Sequence, residues 1–212
     1  MKKIMFNDRY GLTKAVLEGR KMMTRRIIPP IVIDWNRCGK VTLPVSCFKV
    51  KTLFMDASAI LGRDFEYPAP AKYQPKFEAG EIVAVAQRYK DIRDIIGDIQ
   101  DGKSIKSMAG WNNKMFIRAN LMPYQIRITN VQVERLQDIS EEDCLREGIY
   151  VSETEPFVPN GYSPHCANDP KEPKKWFHTP REAFAALIDK VSGKGTWESN
   201  PWIYAYEFEL VK

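Results

Sequence analysis

Gly19-Arg20-Lys21-Met22-Met23-Thr24-Arg25-Arg26 is the stretch on which the reading of this chain turns. It follows a short helical pattern and runs into the apolar pair Ile27-Ile28. Upstream, Asn7 or Asp8 can cap a helix reaching about Glu18, with Leu12, Ala15 and Val16 on one face. Gly19 is placed to end that helix, because glycine takes the left-handed conformation cheaply. Beyond it, Thr24 to Ile28 can extend into a strand in which Thr24 and Arg26 share a face. An ammonium, a hydroxyl and guanidiniums within a few residues can hold an anion or a nucleobase.

The Gly-x-Lys-x-x-Thr-x-Arg pattern of Gly19, Lys21, Thr24 and Arg26 resembles the signature of ASCH domains, and two further stretches fit in order. These are Gly80-Glu81-Ile82-Val83, and Leu136-Gln137-Asp138-Ile139-Ser140 leading to Glu147-Gly148-Ile149. With a closing strand near Trp202, the resemblance covers about half of the chain. It implies an α+β fold: a PUA-like, mostly antiparallel β-barrel flanked by helices. The style is that of the larger, phage-associated members, with 1–212 as one domain and irregular insertions at about 29–76 and 151–178. In ASCH-like proteins that hydrolyse N4-acetylcytidine, a lysine, a threonine and a helix glutamate work together. The matching positions are Lys21, Thr24 and Glu147, so the resemblance implies these as catalytic residues. Members of the larger group carry Arg-Glu-Thr-Trp after a Gly-Asp strand. Here Gly80-Glu81 precedes Ala86-Gln87-Arg88-Tyr89, so an amide stands where a carboxylate would act.

The residues themselves lead to Glu147 by another route. Ser140 opens a helix, with Glu141 and Glu142 suited to its positive end and Gly148 suited to the position just past its close. Glu147 sits in the last turn, where the helix dipole disfavours a carboxylate by roughly 0.3–1 kcal/mol. A residue placed against a local rule is a functional candidate.

Other segments have clear expectations. Glu81 to Arg88 reads as a buried strand. Ile92, Ile95, Ile96 and Ile99 have helical spacing, and Lys114 to Ala119 alternates like a strand. Tyr124, Ile126 and Ile128 alternate before Val131 and Val133, so the apolar parity switches near Thr129-Asn130, as at a bulge. A strand at Cys47–Leu53 fits inside the first insertion. Thr179-Pro180 starts a helix whose apolar face is Phe184, Leu187, Ile188 and Val191. Trp202, Tyr204, Tyr206, Phe208 and Leu210 form one face of a final strand. With Trp197, these aromatics suit a core better than a base-stacking platform.

The composition is that of a globular protein with a real core, at 44% hydrophobic and 28% charged residues. A net charge of +5 suits an anionic partner without the density of a tail-driven nucleic-acid binder. Cys38, Cys47, Cys144 and Cys166 form no CxxC pair, and His165-Cys166 is the only weak metal candidate, so no metal site and no cofactor are expected. No apolar run approaches the ~20 residues of a membrane span. The expectation is a cytoplasmic protein with no membrane association.

Three functions follow. The first is binding of RNA, a modified nucleoside or a nucleotide-like ligand in a cleft lined by Lys21, Thr24, Arg26 and Glu147. Arg25 and Gln87 would assist there, with Tyr89 stacking on a base and Arg118 and Arg127 extending a phosphate-facing stripe. The second is a metal-independent amidohydrolase acting on an N4-acylated cytidine or related base. The third is a phage-associated accessory protein whose insertions bind a protein partner. Close approach of Lys21, Thr24 and Glu147 in an open pocket favours the enzyme, a broad basic face around an unassembled triad favours a binder, and a filled pocket with exposed apolar insertions favours the partner reading.

Overall fold

The computed structural model describes residues 1–29, 74–152, 161–164 and 175–211, together with the backbone of five strands between 31 and 68. Its centre is a sheet built from Lys3–Ile4 (β1), Met23–Ile27 (β2), Ile82–Val85, Gln125–Arg135 and Trp202–Leu210. Between β2 and the third of these lie Ile31–Trp35 (β3) paired with Gly39–Leu43 (β4), and Phe48–Lys49 (β5), Phe54–Asp56 (β6) and Glu66–Pro68 (β7) in a second small sheet. The stretch read as a first insertion thus carries hydrogen-bonded strands among its described residues. The strand expected at Cys47–Leu53 is described only at Phe48–Lys49.

Ile82–Val85 is then β8. Ile99–Gln100 (β9) and Lys103–Ser104 (β10) form a ribbon, Gln125–Arg135 is β11, and Tyr150–Val151 (β12) pairs with Tyr162–Ser163 (β13). Trp202–Leu210 is β14. The helices are Leu12–Leu17 (α1), Arg93–Ile96 (α2), Glu141–Arg146 (α3), Pro180–Ser192 (α4) and Thr196–Ser199 (α5). Among the described residues no helix is long and apolar enough to cross a membrane.

The central order is β1-β8-β11-β14-β2, antiparallel except for the β1–β8 pair. The fold is thus α+β, with a mostly antiparallel sheet and few helices. β1 and β2 are its two edges and are not hydrogen-bonded to each other, so the described strands do not close a barrel. β1 is only two residues long, and the chain turns away through Asn7 to Gly11 before it could pair with β2. Across this seam Arg26 Nη2 donates to the Met5 carbonyl at 2.7 Å.

The parity switch in β11 is real. Ile128 faces Phe208 and Asn130 faces Glu207, so Thr129 is the extra residue, and Val131 and Val133 return to the core. Both faces of β14 are buried at its centre, with Tyr204 and Tyr206 on one side and Ile203 and Ala205 on the other. Its aromatic row is core, as expected. Val85, Ile126, Ile128 and Phe184 belong to the same cluster. Truncating Ile126 or Ile128 to alanine would cost about 2–5 kcal/mol.

Two expectations fail on the other side of β8. The isoleucines from 92 to 99 do not form one buried helix face: Ile92 is buried, but Ile95 and Ile99 are 58% and 67% exposed. Gly97 breaks the helix after one turn, and Ile99 enters the β9–β10 ribbon. Lys114 to Ala119 is not a strand either. It is a run of 3-10 turns, Lys114–Phe116 and Ala119–Leu121, which buries Ile117 and leaves Met115 and Phe116 exposed. Alternation over so few residues arises equally well from successive turns.

Candidate functional site

α1 ends as its sequence requires. Gly19 has φ +73°, its N–H donates to Val16 O at 3.0 Å, and the Arg20 N–H donates to Ala15 O at 2.9 Å. This paired helix stop turns the chain sharply. The Met22 N–H then donates to Arg146 O at 2.8 Å, tying the turn to the end of α3. Ser140 Oγ caps the start of α3 by accepting from the Asp143 N–H at 3.0 Å. Gly148 follows the end of α3 with φ +96°, and a Cβ there would come within 3.3 Å of Lys21 Cβ. The glycine thus serves both the helix stop and the close approach of Lys21.

Lys21 Nζ lies 2.7 Å from Glu147 O and 2.5 Å from Glu147 Oε2, with both side chains almost wholly buried. The ammonium therefore satisfies a free helix-end carbonyl and neutralises the carboxylate that the dipole disfavours. The other oxygen, Oε1, accepts from Arg25 Nη1 at 3.2 Å. Phe6 presents its ring to the same ammonium, with the centroid 5.8 Å from Nζ. Burial pushes the Lys21 ammonium below the usual lysine range, Glu147 opposes that fall, and Arg26 and Arg25 add to it. A lysine so placed gives up its proton more readily than an exposed one. Two of its three N–H groups go to Glu147, and the third has no hydrogen-bond partner among the described residues.

Thr24 lies on β2 opposite Tyr206. It is buried, yet its hydroxyl makes no hydrogen bond among the described residues. Thr24, Lys21, Arg25, Arg26 and Glu147 line one open cavity of about 570 Å³, together with Met5 and Ile27 from the two sides of the β1–β2 seam. Its opposite wall is apolar, formed by Leu12 and the α4 residues Phe184, Leu187, Ile188 and Val191. Arg26 uses one Nη on Met5 O, and its remaining donors have no protein partner among the described residues.

Gln87 and Tyr89 do not belong to this cavity. Tyr89 is 1% exposed, packs against Gly110 in the second apolar cluster, and accepts the Arg118 N–H on its hydroxyl at 2.9 Å. It has no free face for stacking on a base. Gln87 is also buried, and its Oε1 has no hydrogen-bond partner among the described residues. Arg118 and Arg127 do not extend a basic stripe, since each is paired with a carboxylate, Asp101 and Glu209, away from the cavity. Among the described residues no three His, Cys, Asp or Glu side chains gather as metal ligands; His165-Cys166 lies outside those residues.

Several site residues were not singled out by sequence reasoning. Lys114 Nζ reaches into the cavity wall and bonds Asp8 Oδ1 at 2.7 Å, Thr13 Oγ1 at 3.1 Å and the Phe6 carbonyl. Glu134 and Asp143 hold Arg25, with Glu134 Oε1 accepting from Nε at 3.0 Å and Asp143 Oδ2 from Nη2 at 3.3 Å. Burial works against the Arg25 charge, but Glu147 and Glu134 outweigh it and hold the guanidinium above its usual range. The only prior signal for these carboxylates was their presence on α3 and at the end of β11.

No protein-family model, curated protein or solved structure matches this chain.

Proposed function

We propose that this chain is an ASCH-like, PUA-related amidohydrolase that needs no metal and acts on N4-acylated cytidine or a closely related acylated base. The observation that carries the reading is the buried Lys21–Glu147 pair lining the same open cavity as an unbonded Thr24 hydroxyl. Those are the three groups that amide hydrolysis asks for: a nucleophile, a base and a residue that orients the base.

In this reading, neutral Lys21 takes the Thr24 hydroxyl proton as Oγ1 attacks the acyl carbonyl carbon. The carbonyl oxygen becomes an oxyanion, which the free Arg26 donors stabilise. The carbon–N4 bond then breaks as Lys21 returns the proton to N4, releasing cytidine. Water, activated by Lys21, hydrolyses the threonine ester to the carboxylic acid and restores the hydroxyl. Glu147 holds Lys21 in place and stabilises its protonated form between steps.

The charge balance supports a neutral nucleoside over a phosphate backbone. The cavity is lined by the cations Lys21, Arg25, Arg26 and Lys114 and the anions Asp8 and Glu147, and Arg25 also faces Glu134 and Asp143. Of the cations, only Arg26 has no carboxylate partner among the described residues. RNA binding driven by counterion release needs several unpaired cations. The test is incubation of purified protein with N4-acetylcytidine in the presence of a chelator. The expected products are cytidine and acetate, with Thr24→Ala and Lys21→Ala each ~100–10,000-fold slower. No turnover across a panel of acylated bases by folded protein would refute it.

A further inference from the structure

We propose that Arg25 is a positioning residue and that Arg25, Glu134 and Asp143 together set the proton affinity of Lys21. The inference rests on the reading of Lys21 as the base. Arg25 stands between Thr24 and Arg26 on β2, and its side chain is 1% exposed. Its guanidinium is divided among carboxylates from two elements: Glu134 at the end of β11, and Asp143 and Glu147 on and beside α3. The carboxylate of Glu147 is divided in turn, with Oε1 to Arg25 and Oε2 to Lys21. Neither oxygen is left to rotate, so Arg25 fixes the orientation in which Glu147 meets the base.

The network continues outward. Arg146 bonds Asp143 Oδ1 at 3.2 Å and Glu207 Oε2 at 2.8 Å, and Asn130 Nδ2 bonds Glu207 Oε1 at 3.0 Å. Glu134 and Asp143 are 22% and 26% exposed, whereas Lys21 is 2% exposed. A buried lysine is thereby coupled through one guanidinium to carboxylates that reach solvent. The charged groups facing Lys21 are Glu147 from the end of α3 and Arg25 and Arg26 from β2, with Asp8 and Lys114 elsewhere on the cavity wall. Arg25 is the member whose own charge is offset by further carboxylates, so altering those carboxylates alters what Lys21 feels.

The two sides of Arg25 give opposite tests. Arg25→Gln removes a cation near Lys21 and should make it hold its proton more tightly. Glu134→Gln removes a counterion of Arg25, leaves more of the guanidinium charge acting on Lys21, and should make the proton leave more easily. The readout is titration of the Lys21 side chain by NMR of protein labelled at lysine Cε, with Lys21→Met assigning the signal. The midpoint should rise in Arg25→Gln and fall in Glu134→Gln, each by about 0.5–1 pH unit. The ascending limb of the pH–rate profile on N4-acetylcytidine should move the same way, with kcat changing more than KM. Because Glu134 is partly exposed, Glu134→Gln keeps the test decisive even if Arg25→Gln does not fold. Unmoved midpoints, or shifts of the same sign in both variants, would overturn the proposal. The NMR titration decides it independently of turnover, so a wild type inactive on acylated bases would refute the hydrolase reading alone.

Discussion

Lys21 and Glu147, 126 positions apart in the chain, meet through two contacts: the lysine Nζ donates to both the carboxylate and the main-chain carbonyl of the same glutamate. One ammonium thus closes a helix end and carries a charge pair. Removing one partner leaves the other desolvated, so it either carries an uncompensated charge or is driven to its neutral form. Glu147→Ala should cost about 3–5 kcal/mol in urea unfolding. The double variant Lys21→Met/Glu147→Leu should lose much less than the sum of the single losses. Additive losses would show that the pair is not energetically coupled.

Lys21 also predicts the pH dependence of any turnover. Burial favours its neutral form, so the base becomes available below the ordinary lysine value of 10.5. The value of kcat/KM should rise with pH along an ionisation below 10.5 that vanishes in Lys21→Met. A pH-independent rate on that side of neutrality would remove Lys21 from the role of base.

Gln87 predicts a gain in stability. Its buried amide oxygen has no partner among the described residues, and it stands outside the cavity. Gln87→Leu should stabilise the fold by about 1–2 kcal/mol in chemical denaturation, because an unpaired buried polar group is removed. It should leave turnover unchanged. A loss of activity would show that this position contacts substrate after all.

Cys144 gives a prediction at alkaline pH. Burial pushes its thiol from 9.0 up to about 12. A raised thiol pKa stabilises the fold fully below the unfolded value, and that contribution is lost as pH rises from 9.0 through about 12. Relative to Cys144→Ala, the wild type should lose on the order of 4 kcal/mol across that window. Parallel pH–stability curves for the two proteins would contradict this.

The site was legible where local chemistry and chain geometry agree. Gly19 and Gly148 mark helix stops by their left-handed backbone, and Ser140 caps a helix, so Glu147 could be placed at a helix end before any contact was known, whereas Lys21 lies in a turn that periodicity does not place. The anomaly of a glutamate at a negative helix end was the sign of a cation brought there by tertiary structure. The parity switch at Thr129 was readable for the same reason, because period two breaks only when a residue is added. Gln87 and Tyr89 were misplaced because a motif position says nothing about which face of β8 the chain leaves on; Tyr89 turns into a second apolar cluster. Lys114 was invisible because a run of short turns mimics strand alternation. The open β1–β2 seam followed from the shortness of β1, a length that no periodicity sets. Much of 29–76, and 153–160 and 165–174 in the stretch read as a second insertion, lie outside the described residues.

The apolar wall makes a prediction about binding. Val191 lines the cavity and is 40% exposed, unlike its buried neighbours Leu187 and Ile188. Val191→Trp should narrow the pocket with little change in Tm. It should raise KM for N4-acetylcytidine roughly tenfold, equivalent to about 1.4 kcal/mol. An unchanged KM would place the substrate away from α4.

The central claim is that Lys21, Thr24 and Glu147 form one catalytic unit, and single-turnover cleavage of N4-acetylcytidine with chelator present tests it most directly. The wild type should release cytidine. Thr24→Val, which keeps the shape of the side chain and removes the hydroxyl, should be at least ~100-fold slower, as should Lys21→Met, while the double variant should be little slower than either. Release of cytidine by Thr24→Val at the wild-type rate would contradict the account.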